Sequence, residues 1–149
     1  MRVLIQRVSE ASVKIDGVEI SNISKGLLVF VGIENDDSDK DIEYLSKKIA
    51  NLRIFDDANG VMNDSVLEVK GEIMVISQFT LQACTKKGNR PSYIKAAKPD
   101  VSIPLYEKFC NQLQKVSGVK IKTGEFGADM KVSLTNDGPV TIWIDSKTK

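Results

Sequence analysis

Histidine is absent from the 149-residue chain. That removes Ser-His and Cys-His nucleophile pairs and every histidine-based metal site. Cysteine is scarce: Cys84 and Cys110 are the only two. Two thiols build neither a disulfide framework nor a four-thiolate zinc site, and reduced thiols in the cytoplasm are the default expectation. No apolar run approaches the roughly 20 residues of a membrane span. Residues 1–7 lack a long apolar core, so no signal peptide is expected. A Gly-rich loop beside a Mg²⁺-binding hydroxyl is also missing. The net charge of +1 gives no global field, so only local patches carry weight. Chemistry is left to hydroxyls, amides, backbone groups, carboxylates, lysines and the substrate itself. Asp56 and Asp57 are the one pair considered as metal ligands, and a solvated turn is the expected reading. No metal and no cofactor are expected.

The length, with 42% apolar and 28% charged residues, suits a single globular domain. Residues 2–8 and 11–15 read as strands, and Asp16-Gly17 as a type I′ hairpin turn into a strand over 18–20. Residues 26–33 and 73–76 are continuous apolar runs, which predicts central strands buried on both faces. Ser38, with Asp41 three residues on, reads as a helix start. Ile42, Leu45, Ile49 and Leu52 recur at helical spacing, so a helix is predicted over about 39–51. Short strands are expected at 53–55 and 66–69. A second helix opens at Pro99 or Ser102, with Pro104 in its first turn, and stops at Gly118. Its stripe is Leu105, Phe109, Leu113 and Val116, and Cys110 beside it reads as a buried structural thiol. Strands follow at 119–123, 130–134 and 142–144. Many strands with two interspersed helices make an α+β fold.

Three stretches carry candidate chemistry. At 77–80 the central strand changes to Ser77, Gln78, Phe79 and Thr80. Polar groups at the end of a buried strand must be paired, face solvent or face a ligand. Residues 82–99 hold Lys86, Lys87, Arg90, Lys95 and Lys98 and no acidic residue. So long a basic loop is either a solvated surface or a contact for phosphates. At 136–141 stands Asn-Asp-Gly-Pro-Val-Thr, dense in turn residues. It is either an ordinary hairpin turn or, if Gly138-Pro139 is cis, a rigid element aiming consecutive carbonyls one way.

Read together, Ser77-Gln78-Phe79-Thr80-Leu81 and Asn136-Asp137-Gly138-Pro139-Val140-Thr141 resemble the two signatures of the D-aminoacyl-tRNA deacylases. The resemblance runs the whole chain and includes residues 1–8, 26–32 and 123–130. It implies a homodimeric cytoplasmic hydrolase with a barrel-like mixed sheet and two main helices packed outside. The implied substrate is tRNA esterified with a D-amino acid or glycine, with no role for DNA or membrane. The implied Gly138-Pro139 bond is cis and enters the partner's active site, where it rejects L side chains. Thr80, Ser77, Gln78 and Phe79 are then the catalytic candidates, with backbone N–H groups near Phe79 and Thr80 as an oxyanion site. Either Thr80 or the 2′-hydroxyl of the terminal ribose is the catalytic group. Thr80 reads as a hydrogen-bonding or positioning residue in preference to a nucleophile, since no base stands near it in sequence. Phe126 and Met130 either pack on the terminal adenine or belong to the core. Lys86, Lys87 and Arg90 are candidates for tRNA phosphate contacts. An aminoacyl ester is already activated, so the missing histidine is no obstacle. The competing readings are a non-catalytic RNA-binding module and a small-metabolite enzyme with an incidental basic loop.

Overall fold

The computed structural model describes residues 1–148. Strand β1 (Arg2–Ile15) turns through Asp16-Gly17 into β2 (Val18–Ile23). Both turn residues have positive φ, 50° and 79°, as a two-residue type I′ hairpin requires. Strand β3 (Gly26–Gly32) lies antiparallel to the first half of β1. Helix α1 (Asp39–Asn51) follows, then the small hairpin of β4 (Phe55–Asp56) and β5 (Met62–Asp64). Strand β6 (Glu72–Ser77) runs parallel to β3 and leads into a 3-10 turn, Phe79–Gln82. Helix α2 (Pro99–Ser117) precedes β7 (Ile121–Thr123), which is parallel to β6. Strand β8 (Lys131–Asp145) closes the order, antiparallel along the other edge of β1.

The result is one domain with a nearly closed, barrel-like mixed sheet and two helices outside it. Both faces of the central strands are covered, as their continuous apolar runs predict. On one face Leu27, Val29, Ile73 and Val75 meet Leu45 and Ile49 of α1 and Phe109 and Leu113 of α2. On the other, Leu28, Met74 and Ile76 pack with Val8, Val13 and Ile23, and Met130 and Leu134 cover them. Lys122 on β7 links the two ends of the sheet order, β7 and β2. Its ammonium donates to the Asn22 carbonyl of β2 at 2.8 Å and pairs with Glu72 at 3.1 Å.

Several expected boundaries move. The strands expected at 2–8 and 11–15 are one strand, because the pairing of β1 with β8 slips near Val8 without ending. Residues 66–69 form no strand. The Ser65 N–H donates to Glu68 at 2.5 Å, Gly71 N–H returns to the Val66 carbonyl at 2.8 Å, and Lys70 has φ 53°, which is one capped helical turn. The strand expected at 53–55 covers only Phe55 and Asp56, and that expected at 119–123 begins at Ile121. Pro99 takes the first helical position of α2, so Pro104 lies inside the helix and not in its first turn. Its absent N–H frees the carbonyl of Asp100, which stands at the surface. The strands expected at 130–134 and 142–144 are two halves of β8. Both pair with β1, so 136–141 is a bulge in one strand and not a hairpin between two.

Helix α1 starts as its capping signals predict. The Ser38 N–H donates to the Asp41 carboxylate at 2.8 Å. Asp41 also accepts from Ser146 at 2.7 Å and Lys147 at 3.3 Å, and the Met1 amino group bonds Asp37 and Ser146 beside it. Burial pushes the Asp41 pKa up, but hydrogen bonds from Ser146, Ser38 and Lys147 override it and hold the carboxyl well below its ordinary range. A depressed native pKa stabilises the fold fully above the unfolded Asp value of about 3.9 and loses that stabilisation as pH falls through the native value. Asp41→Asn is expected to lower stability at pH 7 by about 1–3 kcal/mol. Urea unfolding across pH 2–7 should show the gap from the unsubstituted protein narrowing below about pH 4.

Candidate functional site

A fork in the sheet makes the cleft. Strand β6 keeps β3 alongside to Ser77, which faces Val31, but its pairing with β7 ends where Val75 faces Thr123. Past Thr123 the chain swings away through Gly124 and Gly127 and returns into β8. Gly127 has φ 80°, which favours glycine, and a Cβ on Gly124 would push the Met130 side chain aside. Between the parted segments lies a cleft of about 560 Å³. Ser77, Gln78 and Phe79 line one side, and Phe126, Asp129 and Met130 the other. Ligands commonly bind off the carboxyl ends of parallel strands where neighbours diverge.

Tyr106 stands at the fork. Its hydroxyl donates to the Val75 carbonyl at 2.8 Å, and its ring meets Phe126 edge-on at 5.6 Å. Burial pushes the phenol pKa far up, so Tyr106 remains a donor at every working pH. Burial likewise pushes the Cys110 thiol beside it up to about 12, as a structural thiol requires.

The turn after β6 is pinned on several sides. Gln78 N–H donates to the Val31 carbonyl at 2.8 Å, and the Gln82 amide to the Gly32 carbonyl at 2.8 Å. Arg2 reaches the Leu81 carbonyl at 3.1 Å. The N–H groups of Phe79 and Thr80 open the 3-10 turn, where such donors have no partner within the turn. The Gln78 side-chain amide donates to the Thr80 hydroxyl at 2.5 Å. Thr80 therefore sits in the turn beside Gln78, and its side chain is not part of the cleft lining.

Lys86, Lys87 and Arg90 occupy an exposed loop closed at its base by two backbone hydrogen bonds between Cys84 and Ser92, 2.8 and 2.9 Å. Among the described residues none of the three pairs with a carboxylate. The loop touches the cleft through Tyr93, whose ring lies edge-on to Phe79 at 5.1 Å.

Gly138 and Pro139 are joined by a cis bond and stand exposed on the bulge of β8, outside the cleft lining of their own chain. Arg7, which sequence reasoning missed, braces them. Its guanidinium donates to the Asp137 carbonyl at 2.8 Å and to the Ile54 carbonyl at 2.7 Å. The signal was an arginine within an otherwise apolar-alternating strand. Asn136 accepts Val140 N–H at 2.8 Å and donates to Gln6, which also accepts from Thr141 at 2.7 Å. Asp56 lies 3.4 Å from Arg7, and Asp57 accepts the N–H of Asn59 at 2.8 Å, so each has a structural partner. Among the described residues no three acidic or cysteine side chains cluster as metal ligands.

Tyr106→Phe keeps the ring against Phe126 and removes the donor to the Val75 carbonyl. An unpaired buried carbonyl is expected to cost about 1–3 kcal/mol, read as a lower urea midpoint with an unchanged slope.

Residues 4–145 match a family model described as D-Tyr-tRNA(Tyr) deacylase. Relatives named D-aminoacyl-tRNA deacylase from Bacteroides fragilis and Bacteroides thetaiotaomicron are 70% and 65% identical over 149 residues, 100% of this chain and 99% of each relative. A solved structure of c-Myc DNA Unwinding Element Binding Protein superposes with a TM-score of 0.92 at 42% identity, over 97% of this chain and 98% of that one. A probable eukaryotic D-amino acid tRNA deacylase shares the fold, with a TM-score of 0.81 at 17% identity over 96% and 97% of the two chains. With model and relatives both running the length of the sequence, the chain belongs to the D-Tyr-tRNA(Tyr) deacylase family of hydrolytic enzymes.

Proposed function

We propose that the chain hydrolyses the ester joining a D-amino acid, or glycine, to the terminal adenosine of tRNA. The observation that carries this is the cleft at the fork, where polar Ser77 and Gln78 end a buried strand opposite Phe126 and Met130. In this reading adenine packs on Phe126 and Met130, and Ser77 and Gln78 orient the nucleoside. The ester carbonyl oxygen meets the N–H groups of Phe79 and Thr80, which stabilise the charge that forms as water adds. The intermediate collapses by expelling the ribose oxygen, which takes up a proton, and the amino acid leaves as the free carboxylate. The ribose 2′-hydroxyl assists this transfer, a group that RNA has and DNA lacks. Thr80, held by Gln78, positions the turn. No cofactor or metal takes part, and the reaction belongs to the cytoplasm.

Stereochemical choice falls to Gly138-Pro139 of a second copy. The element is exposed, braced by Arg7 and outside its own cleft, which suits insertion into the cleft of a partner in a homodimer. An L side chain would collide with it and a D side chain would point away. Glycine, with no side chain, would pass. Lys86, Lys87 and Arg90 contact tRNA phosphates.

A second reading, an RNA-binding module without turnover, is favoured by the same unpaired basic loop. One assay separates the two. The purified protein, with chelator present, is expected to hydrolyse D-tyrosyl-tRNA and spare L-tyrosyl-tRNA. Loss of both esters would retain the esterase and discard the filter. Loss of neither, with or without chelator, would leave the binding module. Pro139→Ala is expected to admit L-tyrosyl-tRNA, raising its hydrolysis at least tenfold, about 1.4 kcal/mol of lost discrimination. Unchanged discrimination would remove Pro139 from the gate.

A further inference from the structure

Two aromatic rings stay open at the mouth of the cleft. Phe79 is 56% exposed and Tyr93 38%, and they meet edge-to-face at 5.1 Å and 72°. Both are fixed from below. Phe79 rides on the pinned turn after β6. Tyr93 follows Ser92, which is bonded to Cys84, and its carbonyl accepts Ala96 N–H at 2.9 Å. The pair joins the cleft, through Phe79, to the segment that carries Lys86, Lys87, Arg90, Lys95 and Lys98 without one acidic residue. Rigid aromatic faces beside unpaired cations are what a single-stranded nucleic acid needs, since every base has a face to stack and every linkage a charge to neutralise.

We propose that Phe79 and Tyr93 form a stacking platform for an unpaired base, that of the nucleotide preceding the terminal adenosine. This rests on the deacylase reading, which places the adenosine in the adjoining cleft. The platform holds the strand outside the cleft, and the phosphate between the two nucleotides turns towards the basic segment. Stacking tolerates any base, so the contact favours a longer single strand over a lone nucleoside without selecting a sequence.

The test compares two esters, D-tyrosyl-adenosine and D-tyrosyl-cytidylyl-adenosine. The unsubstituted protein is expected to cleave the dinucleotide ester with kcat/KM about tenfold higher, mostly through KM, as one stacked base supplies. Tyr93→Leu keeps apolar bulk but loses the planar ring, and its ratio is expected to fall severalfold, to what the phosphate contact alone supplies. Tyr93→Phe is expected to keep the tenfold ratio, because the ring and not the hydroxyl does the stacking. An equal ratio in Tyr93→Leu and the unsubstituted protein, or loss of the ratio in Tyr93→Phe, overturns the platform. Hydrolysis of neither ester overturns the deacylase reading instead. The platform is then read from a dinucleotide without an esterified amino acid, carrying 2-aminopurine before the adenosine. Its fluorescence should be quenched by the unsubstituted protein and by Tyr93→Phe but not by Tyr93→Leu, and equal quenching by all three overturns the platform.

Discussion

Strand β6 keeps one neighbour to its end and loses the other at Val75, and the cleft exists because of that loss. A central strand that gives up a partner leaves backbone groups unpaired in a buried place, which the fold must repair. Tyr106 repairs it from α2 by donating to the Val75 carbonyl. The same side chain braces Phe126, the first aromatic of the opposite wall. One residue thus holds both sides of the fork. The switch from Ile76 to Ser77 and Gln78 follows from the same geometry, because beyond the fork the strand faces an opening and not a packed sheet.

What was legible in the sequence is what depends on near neighbours. The runs at 26–33 and 73–76 announce strands covered on both faces, and Leu28 with Met74 and Leu27 with Ile73 fill the two cores. Asp16-Gly17 and Ser38-Asp41 are local signals and both mark the boundaries they predict. The mistakes lie where a distant strand decides. Nothing near Ser9 and Glu10 says that β1 continues, since β8, more than 120 residues away in the chain, carries the pairing past them. Nothing near Asn136 says that 136–141 bulges from a strand whose two halves share a partner. The miss at 66–69 is different in kind. Ser65 and Glu68 held the spacing of a capping box, and the three apolar residues Val66, Leu67 and Val69 outweighed it.

The candidate site was legible as a set of residues more than as an arrangement. Ser77, Gln78, Phe79, Phe126 and Met130 come together from two segments nearly fifty residues apart. Thr80 belongs to the turn and spends its hydroxyl on Gln78, which the sequence did not show. Arg7 went unnoticed for a physical reason. Its two shortest contacts are to main-chain carbonyls, and a carbonyl has no residue letter.

A chain without histidine is well suited to an ester that is already activated. In the proposed reaction the barrier left to lower is the charge that gathers on one carbonyl oxygen, and fixed N–H donors lower such a barrier by about 3–4 kcal/mol each. Backbone donors do not distinguish one amino acid from another, so such a cleft accepts many side chains. The proposed filter therefore draws its selection from outside the cleft, from a rigid body placed where one enantiomer carries bulk. Gly138-Pro139 has what that role demands. It is exposed, it offers no long side chain that could move aside, and Arg7 and Asn136 hold it at both ends. In the proposed mechanism, general acceptance within the cleft and a fixed obstacle brought to it by a second copy would together make a filter for handedness that is indifferent to side-chain chemistry.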